Sequence, residues 1–117
     1  MTEMISKRRK GYEGENLVKE YYVGHWYKII EGNFTIKGGE IDIIAMKDDL
    51  LVFIEVKTIS PDLSYESYIT PSKIKHFKNA IEAYLAQHTE ISYENMRADV
   101  VFVENNMIYE LFEDIPF

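Results

Sequence analysis

Two acidic residues and one lysine attract attention because they interrupt apolar stretches. Asp42 lies within Ile-Asp-Ile-Ile-Ala, whereas Glu55 and Lys57 lie within Val-Phe-Ile-Glu-Val-Lys-Thr. Buried charges are costly, so apolar strands retain them only with partners or for a purpose. Carboxylate oxygens suit a hard cation such as Mg²⁺ or Mn²⁺. The residue types therefore indicate a divalent-metal site.

Hairpin geometry brings these side chains together. If the turn between the two stretches has even length and is centred between Asp48 and Asp49, Asp42 lies opposite Glu55, with Cβ atoms roughly 5 Å apart. Two carboxylates so close repel, and one keeps its proton unless a cation lies between them. Lys57 shares the face of Glu55, where it can position a hydrolytic water or stabilise developing negative charge. An odd-length turn would shift this register.

A third carboxylate is expected on the first helix, which we predict over Gly11–Val23. By the 100° step per residue, Glu15 lies about 20° from Tyr22, at the edge of the face that should pack on a sheet. From there it can reach the same site. The apolar face consists of four residues at helical spacing: Leu17, Val18, Tyr21 and Tyr22.

The remaining elements follow from periodicity and turn signals. A second helix should begin at Thr70, as N-cap, and Pro71, after a loop over 59–70. The order αβββαββ predicts a mixed sheet with helices packed on it, an α/β or α+β arrangement. The predicted strands are Trp26–Phe34, Ile41–Met46, Leu50–Thr58, Arg97–Val103 and Met107–Phe112.

The length and composition of the chain exclude several classes of protein. We expect 117 residues to form a single domain, 1–117, with its own core. A content of 46% hydrophobic and 28% charged residues argues against disorder. No apolar run is long enough for a membrane span, and no secretory signal follows the basic N-terminus, so we expect a cytoplasmic protein without membrane contact. The absence of cysteine excludes disulfides, thiolate metal sites and cysteine nucleophiles.

The net charge of −7 conceals an uneven distribution. All of the excess negative charge lies after Lys78, where the chain contains eight acidic residues and a single basic residue, Arg97. The first two-thirds of the chain is neutral and contains basic clusters that a polyanion such as DNA can contact. A solvated terminal segment (1–10) and a solvated helix face are the simpler explanations of these clusters. The candidate nucleic-acid contacts are Lys7, Arg8, Arg9, Lys10, Lys37, Lys73, Lys75 and Lys78.

The remaining aromatic and histidine residues carry weaker signals. The aromatic residues at 21, 22, 26 and 27 are expected in the core rather than in a base-stacking platform. The three histidines have no ligand spacing, and we predict none of them as a metal ligand: His25, His76 and His88.

Several stretches resemble the YraN family, small and largely uncharacterised proteins of the PD-(D/E)XK nuclease superfamily that are related to archaeal Holliday-junction resolvases. The matching motifs, in family order, are Gly-Tyr-Glu-Gly-Glu at 11–15, Gly-Glu-Ile-Asp-Ile-Ile-Ala at 39–45, Val-Phe-Ile-Glu-Val-Lys-Thr at 52–58 and Arg-Ala-Asp-Val-Val at 97–101. Ile41 stands where the superfamily motif has proline.

The resemblance implies a restriction-endonuclease-like α/β fold and a Mg²⁺- or Mn²⁺-dependent endonuclease. Glu15, Asp42 and Glu55 would surround the ion with the Val56 carbonyl, and Lys57 would lie at the attacking water. The implied substrate is DNA, including branched DNA, and resolvase-like relatives imply a homodimer.

Two other classes of function remain open from the sequence. One is a non-catalytic nucleic-acid-binding or adaptor module that keeps the nuclease fold. The other is a protein-interaction module built on the acidic last third, through Glu110, Glu113 and Asp114.

Overall fold

The computed structural model describes residues 2–59 and 69–116, with side chains from Glu13 onward. Within these residues the predicted element order, αβββαββ, is confirmed. Residues 60–68 of the predicted loop lie outside the described part. The elements are α1 (Thr2–Gly24), β1 (Lys28–Ile36), β2 (Gly39–Lys47), β3 (Leu50–Thr58), α2 (Pro71–Gln87), β4 (Asn95–Glu104) and β5 (Met107–Phe112).

The five strands form one mixed sheet in the order β1-β2-β3-β4-β5. Neighbouring strands are antiparallel except β3 and β4, which are parallel and are connected through α2. The β2–β3 ladder runs from the pair Lys47–Leu50 to the pair Ile43–Ile54. This is the register predicted from an even-length turn, so that prediction is confirmed.

The two helices cover two separate apolar cores. Alternation along β2 assigns Ile43 to one core and Ile44 to the other, so the cores lie on opposite faces of the sheet. The core under α1 contains Val18, Tyr22, Ile43, Ala45, Val52, Ile54, Val101 and Val103. The core under α2 contains Ile41, Ile44, Leu51, Phe53, Phe77, Ala80, Ile81, Tyr84 and Ala98.

The regular alternation of side chains between the two faces of the sheet is interrupted in β1 and in β2, at positions that lie opposite each other. The cross-strand pair Gly32–Ile43 faces α1, since a Cβ on Gly32 would meet Lys19 of α1 and Ile43 lies in the α1 core. The next pair, Phe34 and Ile41, packs in the α2 core. Asn33, between these pairs on β1, has a left-handed φ of 54°. Asp42 occupies the matching position on β2, at the transition between the two faces.

A second buried ionic group lies on the α1 side of β4. Asp99 is 0% exposed and accepts four hydrogen bonds. Tyr22 Oη donates at 2.7 Å, Arg97 Nε and Nη2 donate at 2.8 and 2.9 Å, and the Asp114 backbone N–H donates at 3.0 Å. Arg97 Nη2 also donates to Tyr27 Oη at 3.0 Å. This network connects α1 to the sheet.

The N-terminal part of the fold corrects two predictions. Helix α1 begins at Thr2 instead of Gly11, because residues 2–10 contain no glycine or proline to stop it. Strand β1 begins at Lys28 instead of Trp26, because Trp26, with a left-handed φ of 71°, lies in the turn after α1, where its N–H donates to the Val23 carbonyl. The expectation that Trp26 is a core residue is wrong: it is 84% exposed. Tyr22 is in the core as expected, and helix α1 ends at Gly24 as the pattern indicated.

Helix α2 is fixed at its start and along its length. The Thr70 side chain accepts a hydrogen bond from the Lys73 N–H at 3.2 Å, and Pro71 occupies the first turn, so the predicted cap is confirmed. A Cβ on Gly39 would overlap the backbone carbonyl of His76. Glycine at 39 therefore lets α2 approach the start of β2 closely. Neither helix in the described part of the chain has the length and apolar character that a membrane span requires.

Candidate metal centre

Three carboxylates converge where β2 and β3 separate. Glu40, Asp42 and Glu55 each offer an oxygen, and these oxygens lie within 4.8 Å of one another. Asp42 and Glu55 are buried, at 6% and 8% exposure, whereas Glu40 is exposed. Three acidic groups this close, with two of them removed from water, form a site of strong negative potential.

The orientation of Asp42 follows from the end of the β2–β3 ladder. The last regular pair is Ile43–Ile54, and beyond it the Asp42 side chain replaces the backbone as hydrogen-bond acceptor. The Val56 N–H donates to Asp42 Oδ2 at 2.7 Å. One carboxylate oxygen is thus engaged by β3, so the side chain is held beside Glu55 and cannot turn towards solvent.

Glu55 has the most perturbed carboxyl among the described residues. Burial, then the charge of Asp42 and a hydrogen bond with it, raises the pKa of Glu55 to about 9. Lys57 opposes this shift but does not cancel it. In the absence of a cation, Glu55 therefore keeps its proton at neutral pH.

Lys57 lies on the same side of β3 as Glu55, as alternation predicted. Its Nζ is 3.6 Å from Glu55 Oε1. Both residues line a cavity of about 340 Å³ between the sheet and α2. The ammonium group is therefore next to the carboxylate cluster and next to space that a ligand can enter.

Glu15 approaches the cluster from the opposite layer. Burial, then the charge of Asp42, raises the pKa of Glu15. When the Asn33 amide is oriented so that its nitrogen points to Glu15, this nitrogen donates to the two carboxylate oxygens of Glu15 at 3.2 and 3.3 Å. Glu15 is thus within electrostatic reach of Asp42, but it is not one of the three carboxylates that lie within 4.8 Å of one another.

Glu40 was missed in the sequence analysis although a signal for it exists. It lies two residues before Asp42 in Gly-Glu-Ile-Asp, and side chains two apart on a strand share a side. Unlike Asp42, Glu40 is not enclosed by apolar residues, since Gly39 precedes it. The structure places Glu40 with Asp42 and Glu55, where the sequence analysis placed Glu15.

The basic residues predicted to contact nucleic acid occupy different places. Lys73 lines the cavity together with Glu55 and Lys57. Lys75 and Lys78 are exposed on α2, and Lys37 is exposed in the turn between β1 and β2. The side chains of Lys7, Arg8, Arg9 and Lys10 lie outside the described part of the structure, although their backbone belongs to α1.

Comparison with known proteins identifies the family. A model of the uncharacterised protein family UPF0102 matches residues 14–103, which include all three clustered carboxylates. A UPF0102 protein of Campylobacter fetus is 37% identical over 108 residues, covering 92% of this chain and 93% of the relative.

Two further relatives have similar coverage. A UPF0102 protein of Helicobacter pylori is 38% identical over 110 residues, covering 94% of this chain and 93% of the relative. A UPF0102 protein of Flavobacterium johnsoniae is 36% identical over 108 residues, covering 88% and 87%. These names state a family and no activity. The chain belongs to the uncharacterised protein family UPF0102, which is the YraN family that its motifs resemble.

Proposed function

We propose that the protein is a metal-dependent endonuclease of the PD-(D/E)XK superfamily that hydrolyses phosphodiester bonds of DNA, including branched DNA. The observation that carries this proposal is the convergence of Glu40, Asp42 and Glu55 within 4.8 Å, with the Lys57 ammonium 3.6 Å from Glu55. Carboxylates beside a lysine, at the edge of a cavity, are the groups that metal-assisted hydrolysis requires.

The donor set fits Mg²⁺ or Mn²⁺. Its members are hard oxygen ligands, and the Lys57 ammonium group lies 3.6 Å from Glu55. A divalent ion would remove the repulsion that keeps the proton on Glu55. Asp42 and Glu55 would hold the ion, with Glu40, and Glu15 would add negative charge from the α1 layer. The Val56 carbonyl is a further proposed ligand.

Different residues of this chain have different roles in the proposed hydrolysis. When bound, the ion supplies charge neutralisation at the phosphate and lowers the pKa of a coordinated water. Lys57 stabilises the negative charge that develops on the phosphate oxygens and orients the attacking water. The Val56 N–H keeps Asp42 fixed, and Asn33 orients Glu15. Lys73, in the cavity wall, is placed to contact a phosphate next to the site of cleavage.

Charge distribution supports DNA as the partner. Lys73 lines the cavity, and Lys75 and Lys78 are exposed on the same helix, α2. We also propose, from the resolvase-like relatives, that two copies act together on two strands and that the protein works in the cytoplasm.

The test begins with the metal, before any substrate is known. We expect calorimetric titration with Mn²⁺ to show binding to the wild type and none to Asp42→Asn. The matched control is Glu82→Gln, which neutralises an exposed carboxylate on α2 and should bind Mn²⁺ as the wild type does.

Cleavage is then measured on linear and branched DNA with Mg²⁺ and with EDTA. We expect Lys57→Ala to lower the cleavage rate by about 10²- to 10³-fold, the cost of one lost electrostatic contact in a transition state. Equal cleavage rates for the wild type and Lys57→Ala would contradict the proposal. Binding of DNA in EDTA, unaffected by Mg²⁺ and without cleavage, would instead favour the non-catalytic module.

A further inference from the structure

The cavity beside the carboxylate cluster has a second, apolar part that metal-assisted hydrolysis does not require. At about 340 Å³ it lies at the lower end of the range of about 300–1,000 Å³ typical of pockets for small organic ligands. Its apolar wall consists of Ile36, Ile69, Ile74, Phe77, Val100 and Ile115. The sheet contributes Ile36 and Val100 and α2 contributes Ile74 and Phe77, whereas Ile69 precedes α2 and Ile115 follows β5.

The apolar wall begins directly next to the charged groups. In the parallel β3–β4 ladder, Val100 is the register partner of Glu55. Both side chains line the cavity, as does Phe77, which projects from α2 and is almost fully buried. A ligand that fills the cavity must therefore be polar or charged at one end and must tolerate an apolar environment at the other.

The negative charge of the phosphates excludes the sugar-phosphate backbone of DNA from the apolar part of the cavity. A phosphate placed among Ile74, Phe77 and Val100 would lose its hydration without gaining a partner. A nucleobase fits these surroundings better, because its ring faces are apolar and only its edge is polar. His76, in the same wall, supplies a polar group for that edge.

We propose that this cavity receives one unpaired nucleobase from the strand whose phosphate lies at the carboxylate cluster. The inference rests on the proposed nuclease function and names its substrate class: DNA with an unpaired nucleotide at the position of cleavage. A base within a continuous duplex is stacked and must leave the helix to enter, which costs a few kcal/mol. A base in a bulge, a single strand or an open junction has already lost that stacking.

The test uses two DNA duplexes that differ in one group. Both carry a single-nucleotide bulge; in one the bulged nucleotide has its base, and in the other it is abasic. Binding is measured by fluorescence anisotropy in Ca²⁺, to occupy the metal site while slowing hydrolysis. We expect the wild type to bind the duplex with the base about tenfold more tightly, as expected for one base buried against apolar and aromatic side chains.

A variant that fills the cavity assigns the effect to this pocket. Ile74→Trp should abolish the preference for the base and leave binding of the abasic duplex unchanged. Leu85→Trp is the matched control, since Leu85 lies on the same helix and is also half-buried but does not line the cavity. Circular dichroism establishes that both variants fold.

The outcomes separate this inference from the proposed function. Equal affinity of the wild type for the two duplexes overturns the nucleobase cavity and leaves the metal-dependent nuclease standing. A base preference that persists in folded Ile74→Trp also overturns it. Failure of the wild type to bind either duplex with metal, or to bind Mn²⁺ at all, removes the proposed function and this inference together.

Discussion

The buried carboxylate of Asp99 and the carboxylate cluster at Asp42 differ in charge balance and in access to solvent. Asp99 has no exposure, and four donors, including Arg97, satisfy its single carboxylate. The cluster of Glu40, Asp42 and Glu55 has three carboxylates, with the Lys57 ammonium group 3.6 Å from Glu55, and it borders a cavity that Lys73 also lines. One group is closed and electrically balanced, and the other is open and has an excess of negative charge.

This difference separates a structural role from a role in binding. A buried charge with its partners in place connects elements, and nothing needs to be added to it. A buried cluster with excess charge destabilises the fold unless protons or a cation neutralise it. The protein keeps the second arrangement where its motifs and its cavity coincide, which is why we assign chemistry to Asp42 and Glu55 and not to Asp99.

The largest expected effect tests the balanced group. Asp99→Ala removes every acceptor for the Arg97 side chain except Tyr27 and leaves a largely buried guanidinium without its carboxylate. We expect a loss of about 3–5 kcal/mol in the free energy of unfolding, measured by urea denaturation. The control is Glu90→Ala, which breaks the exposed pair with His88 and should cause no measurable loss. Comparable stability of the two variants would contradict a structural role for Asp99.

The second prediction concerns the unbalanced cluster and pH. The pKa of Glu55 is raised from 4.5 to about 9, so the folded state holds this proton more tightly than the unfolded state does. The resulting stabilisation is full below about pH 4.5 and is lost as pH rises towards 9. Each pKa unit corresponds to about 1.4 kcal/mol. Because Glu55 lines a cavity, where exposure to solvent reduces such shifts, we expect a loss on the order of 2–3 kcal/mol across this interval.

Thermal denaturation of metal-free protein between about pH 5 and pH 9 measures this loss. Glu55→Gln cannot ionise, so its stability should vary less with pH over the same interval. Mg²⁺ should stabilise the wild type more at high pH, because binding releases the Glu55 proton. Identical pH profiles for wild type and Glu55→Gln would show that Glu55 does not hold a proton in the folded protein.

The smallest effect is expected for Tyr22→Phe. This change removes the Tyr22 hydroxyl, one of four donors to Asp99, and leaves the other three in place. We expect a loss of about 1 kcal/mol in the free energy of unfolding, measured by urea denaturation. Tyr93→Phe, which removes an exposed hydroxyl, is the control. A loss as large as that of Asp99→Ala would mean that the network fails as a unit.

Local sequence signals were sufficient where a single turn or cap decides the structure. Asp48 adopts a left-handed φ of 52° in the turn that joins β2 and β3, and the short polar turn fixed the register that brings Asp42 close to Glu55. Thr70 and Pro71 marked the start of α2 for similarly local reasons. The position of Glu40 was also accessible by the same alternation rule.

Other features depend on contacts that no local pattern contains. The change of face at Asn33 and Asp42 requires a left-handed residue in mid-strand, which periodicity does not anticipate. The hydrogen bond between Tyr22 and Asp99 joins residues 77 positions apart. Trp26 has the composition of a core residue, but its backbone conformation after Gly24 turns it outward.

The irregular backbone of β1 also bears on self-association. Among the described strands, β1 lies at one edge of the sheet, and an even, flat edge is a template on which further strands add and fibrils grow. The register shift between Ile29 and Glu31, followed by the left-handed Asn33, interrupts the even spacing of outward N–H and C=O groups. The irregular strand that pairs with the start of β2 is thus also a poor surface for the addition of further strands.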